Sequence, residues 1–220
     1  MATLFWLPSS GSADISVTPS SVTWDGHINA VYRKMYTTRQ NTALTTLDYA
    51  PDAADHLTDV ATMIAQFISD ILPPQTIAAQ QITLGCRTLE SNALNNLYEA
   101  WTLYAVPAAG GASLGNIVPI FKSATSEMAV SLTGYCETRA GSALTANAPF
   151  RLVLEIGADG LPSTGGGRHN FSVVFGDLMA TGAQFLAQSD DVSVCSAILL
   201  FSNDIRLLPV GAASYQIGIS

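Results

Sequence analysis

Apolar and polar residues alternate most cleanly over 150–156, where Phe150, Leu152, Leu154 and Ile156 fall on one side and Arg151, Val153 and Glu155 on the other. A period of two marks an extended strand, and this one reads as half-buried. The same period pairs Met128, Val130 and Leu132 against Ala129, Ser131 and Thr133, predicting a strand over 128–135. Residues 98–106, with Trp101 and Tyr104, predict another. The runs 171–175 and 192–201 are apolar on both faces, as in a sheet whose second side is covered by another layer. Breaks rich in Gly, Pro, Ser and Asn at 107–115, 141–149 and 157–167 separate these runs, which is the spacing of strands joined by turns.

One segment departs from this pattern. Val60, Met63, Ile64, Phe67, Ile68, Ile71 and Leu72 follow the i, i+3, i+4, i+7 rule of an amphipathic helix, and Pro73 and Pro74 would end it. Periodicity alone therefore predicts a helix over 60–72. At the ends of the chain, Leu4, Phe5, Trp6 and Leu7 form an apolar cluster within an N-terminal strand or arm (1–23), and Tyr215, Ile217 and Ile219 alternate in a C-terminal extension (210–220). Both ends read as docking strands, because loose apolar ends would expose adhesive edges.

Together these segments predict an all-β chain, an antiparallel β-sandwich, and 220 residues fit one such domain, 1–220. Charged residues make up only 12% of the sequence, against about 25% in a typical soluble domain. A free monomer usually carries roughly 25–35% charge on its surface, so the expectation is a surface largely covered by neighbours. The net charge of −8 argues against nucleic-acid binding, which needs clustered Lys and Arg. No apolar run reaches the 18 or so residues of a membrane helix, and the opening residues lack the regions of a signal peptide. The expectation is a protein made in the cytoplasm, with no nucleic-acid or membrane partner.

The raw material for chemistry is sparse. Cys86, Cys136 and Cys195 lie far apart with no CxxC pair, and read as buried thiols acting as small apolar side chains. His27, His56 and His169 belong to no metal or nucleophile signature. The string STGGGRHN at 163–170 is followed by a strand-like FSVVF, so it reads as a hairpin and not as a phosphate loop. The acidic stretches 48–59 and 189–191 match no complete calcium loop. Carboxylates such as Glu99, Glu127 or Glu155 would be needed for a hydrolase, but spacing does not pair them in a cleft. Aromatic residues are 8% of the chain and scattered, so spacing argues for no sugar platform, though Trp24, Tyr32 and Trp101 could contribute to one. The expectation is no catalytic residue, no metal and no cofactor.

Several phrases taken in order resemble a family of small virion structural proteins of tailed bacteriophages. They are ATLFWLPSSG at 2–11, Gln66-Phe67-Ile68-Ser69, Pro74-Gln75-Thr76-Ile77, Gly85-Cys86-Arg87 with Glu90-Ser91, the segment 126–135, RLVLEIG at 151–157, and Phe175-Gly176-Asp177. The acidic stretch 48–59 and the tail 210–220 are longer than the family pattern, and 196–201 replaces its usual ending. The resemblance implies a jelly-roll-like sandwich, and a strand where 63–69 has helical spacing. It also implies a virion component without enzymatic activity. The leading expectation is a capsid decoration or cement protein, or a tail-associated one, which self-associates, with a trimer as the first candidate. It would dock on other virion proteins such as major capsid, tail or neck subunits. Leu4, Phe5, Trp6, Tyr215, Ile217 and Ile219 are the interface candidates. The alternative is a glycan- or receptor-binding jelly-roll module of a phage fibre.

Overall fold

The computed structural model of the chain describes residues 2–19, 24–27, 32–49, 60–91, 96–160, 170–176 and 197–208. The tail with Tyr215, Ile217 and Ile219, residues His56, His169 and Cys195, the glycine string 163–169 and the acidic stretches 50–59 and 189–191 lie outside the described residues.

The described residues are all-β, with antiparallel sheets stacked as a jelly-roll-like sandwich. In the first sheet the long strand β7 (Gln80–Glu90) is central. β10 (Thr133–Gly141) pairs along one of its edges. Along the other edge β14 (Ile198–Phe201) and β13 (Phe171–Phe175) pair end to end, carrying β1 (Thr3–Trp6) and β4 (Thr45–Tyr49) outside them. In the second sheet the order is β9 (Gly115–Glu127), β8 (Leu97–Pro107), β12 (Phe150–Gly160) and β5 (Val60–Ile68). The short β2 (Gly26–His27) and β3 (Tyr32–Lys34) run parallel to β5. A two-stranded ribbon joins β6 (Gln75–Ile77) to β11 (Leu144–Ala146).

One apolar core fills the space between the sheets. Ile82, Leu84 and Cys86 of β7 meet Trp101 and Leu103 of β8 and Leu152, Leu154 and Ile156 of β12. Phe67 of β5 packs edge-on against Phe175 of β13, with centroids 4.9 Å apart, and so ties the layers together. The N-terminal cluster docks in this chain's own sheet: β1 pairs with β14, and Phe5 packs edge-on to Phe201 at 5.9 Å.

Two sequence expectations are corrected here, and a third segment, which allowed two readings, is decided. The segment 150–156 alternates as expected, yet both of its faces are buried and not one. The N-terminal arm covers the second face, laying Val17, with Ala13 and Ile15, over Ile68, Tyr104, Val106 and Val153, and Trp24 over Ala61, Met63 and Ala100. The segment 128–135 is not one strand, since β9 ends at Glu127 and β10 begins at Thr133. Residues between them cross from one sheet to the other, with the Met128 amide donating to Leu97 O (2.7 Å) and the Glu90 amide to Ala129 O (2.9 Å). Val130, expected on an apolar face, is 55% exposed on that crossing.

Over 60–72 the strand that the resemblance implies is present, and not the helix that spacing alone predicts. β5 is a strand through Ile68, and its pairing with β12 slips between Ile156 and Gly157, so that Ile64 is an extra residue, a β-bulge. Before the bulge Ala61 and Met63 face the arm; after it Ala65 and Phe67 face the core. Apolar residues on both faces plus one inserted position mimic the i, i+3, i+4 pattern. Gly157 sits opposite the bulge because a Cβ there would overlap the Thr62 carbonyl oxygen.

Polar side chains latch this framework. Ser69 Oγ accepts from the Leu152 amide (2.9 Å), and Arg151 donates to Ser69 O (2.8 Å) and Ala108 O (3.0 Å). The Gln75 amide clamps Arg206, accepting from its N–H at 2.8 Å and donating to its carbonyl at 2.9 Å.

Candidate functional site

The alternation of β8 sends acids and aromatics to two different places. Leu97, Trp101, Leu103 and Ala105 face the core, and Glu99 stands in the same row, fully buried. Across the gap the inward row of β7 runs Ile82, Leu84, Cys86 and then Glu90, which is 2% exposed. The Cys86 thiol donates to Glu99 Oε1 at 2.8 Å, while Glu99 Oε2 and Glu90 Oε2 find no hydrogen-bond partner among the described residues. A carboxyl buried this way resists ionising, because taking a charge out of water is costly. Burial pushes Glu99 well above the usual carboxylate range, against the pull of the Cys86 hydrogen bond and with the added repulsion of Glu137. Burial first and the charge of Glu127 second raise Glu90 to about 7, although the Leu97 backbone hydrogen bond works the other way.

Beside these buried acids the crossing 128–132 leaves a cavity of about 240 Å³, with Thr88, Glu127, Met128, Tyr135, Cys136 and Glu137 in its wall. Arg139 pairs with Glu137. Glu127 from β9 and Glu137 from β10 are the carboxyls on the cavity wall.

The second polar cluster lies on the far face of the second sheet, under the arm. Glu155 accepts from Trp24 Nε1 (2.8 Å), Gln66 Nε2 (2.9 Å) and Tyr104 Oη (2.7 Å). Burial, then the charge of Glu155, raises the Tyr104 phenol above its ordinary value and keeps it a donor. Thus Glu99 and Glu155, two of the carboxylates weighed for hydrolysis, point to opposite faces of one sheet and form no pair. Glu127 is on the cavity wall. Trp24 and Trp101 are both buried, so neither offers a free ring face to a sugar; Tyr32 is half-buried. His27 lies in β2. Of the cysteines, Cys86 is buried as expected, but Cys136 is exposed because it points outward from the edge strand β10. Among the described residues, no group of three or more His, Cys, Asp or Glu is placed to hold a metal ion.

The outer face of the first sheet differs from both clusters. One row across it reads Leu4, Leu200, Thr83, Thr138, and the next reads Trp6, Ile198, Gly85, Cys136. Neither row carries a charge. Leu4, Trp6, Leu200 and Thr83 are half-buried, Thr138 and Cys136 are exposed, and Ile198 and Gly85 are buried. The Thr83 and Thr138 hydroxyls pair at 2.7 Å, and the Arg39 guanidinium lies 5.8 Å from the Trp6 ring centroid. Of the N-terminal interface candidates, Leu4 and Trp6 belong to this face and Phe5 belongs to the core.

The fold and these sites define a sandwich of jelly-roll type with one sheet face covered by its own arm. No family model and no curated protein matches the chain. Among solved structures it is similar to an α-amino acid ester hydrolase (TM-score 0.41, 11% identity, covering 79% of this chain and 34% of that one). It is also similar to a CocE/NonD family hydrolase from Staphylococcus aureus (TM-score 0.28, 10% identity, 91% and 34%). A third is a structure of infectious bursal disease virus, Gx strain (TM-score 0.30, 11% identity, 73% and 38%). The chain therefore spans just over a third of the length of these structures. The expectation that the chain is no enzyme is corrected by this result, since hydrolases stand among its structural neighbours alongside a virus particle. The likeness assigns no activity.

Proposed function

We propose that the chain is a structural subunit of a tailed-bacteriophage particle, a capsid decoration or cement protein or a tail-associated subunit. In this reading it self-associates, with a trimer as the first candidate, and docks on other virion proteins. The observation that carries it is the pair of uncharged rows on the outer face of the first sheet, where Leu4, Leu200, Thr83 and Thr138 lie side by side over four strands. Such a surface gains more from a neighbour than from water, at about 25 cal/mol per Å² of apolar area removed from solvent. The low charge of the chain, 12%, points the same way. The phrases that resemble phage virion proteins fall on the latches of this framework, Ser69, Gln75 and Arg151 among them.

Cryo-electron microscopy of purified particles tests the reading directly. Copies of the chain at regular positions on head or tail are expected, in contact through the first sheet, and particles without the chain refute it. A Leu4→Lys, Thr138→Lys double variant sharpens the test. It is expected to fold with an unchanged β-sheet circular dichroism spectrum, yet to lose self-association in light scattering and to drop out of particles. Wild-type association by the double variant would show that another surface makes the contacts.

A further inference from the structure

We draw no further inference here: the strongest candidate, the cavity between the crossing 128–132 and β10, brings together two acidic side chains, Glu127 and Glu137, and the exposed Cys136 thiol, and no second feature among the described residues points to a ligand for it.

Discussion

Replacing Gly157 by alanine isolates the role of the bulge in β5. The added Cβ would overlap the Thr62 carbonyl oxygen and lie 2.8 Å from both Met63 Cα and the Thr62 carbonyl carbon, all backbone atoms of the neighbouring strand. Carbon atoms pack best at about 3.5–4.0 Å, so β5 must move away from β12 by roughly 1 Å. Inserting a methyl group into a packed core typically costs about 1–3 kcal/mol, and a stretched ladder hydrogen bond adds about 1 kcal/mol. A total near 3 kcal/mol corresponds to a fall in Tm of roughly 6–12 °C for a domain of this size. Gly85→Ala is the control, because its Cβ meets the Ile198 side chain at 3.1 Å, and a side chain can yield where a strand backbone cannot. Its cost is expected to stay under about 1 kcal/mol. Differential scanning calorimetry and urea unfolding of the two variants decide the matter. A Gly157→Ala protein that melts within about 2 °C of wild type, or no lower than Gly85→Ala, would refute the assignment of the bulge.

The cluster beneath the arm and the two cysteines offer simpler checks. Tyr104→Phe removes the 2.7 Å hydrogen bond to Glu155 and is expected to destabilise by about 1–3 kcal/mol in urea titration, with more rapid proteolysis of the N-terminal arm; unchanged arm cleavage would separate the cluster from the arm. In the native protein a maleimide is expected to label exposed Cys136 quickly and buried Cys86 only after unfolding, as located by peptide mass spectrometry; equal labelling of both would place Cys86 at the surface.

How far the sequence could be read depended on what each period of two concealed. The strands β12 and β13 were legible because their inward rows are unbroken apolar runs, and β8 because only Glu99 interrupts its row. β5 was not, since a single inserted residue, Ile64, shifts its inward face by one position and a strand then carries helical spacing. The second face of β12 was misjudged for a related reason: what covers it is an arm more than a hundred residues earlier in the chain, and no local pattern announces such a contact. At the candidate sites, Glu99 was noticed as a carboxylate but not for its position. It occupies an inward slot between Leu97 and Trp101, and Glu90 continues the row of Ile82, Leu84 and Cys86. An acid in an apolar row is a readable signal of a perturbed group. Trp24 bonding to Glu155 joins residues 131 apart in sequence and had no such signal.

The arm that lies over the second sheet gives the molecule a front and a back. Its back is sealed by the chain itself, through Val17 and Trp24, so a large partner that approaches from that side meets backbone already in use and side chains already covered. Stacking of two such molecules back to back would require peeling off part of each one. Growth of any array is thereby steered to the front and to the rims of the sheets, and a layer built this way has a defined inside and outside without needing a separate orienting signal.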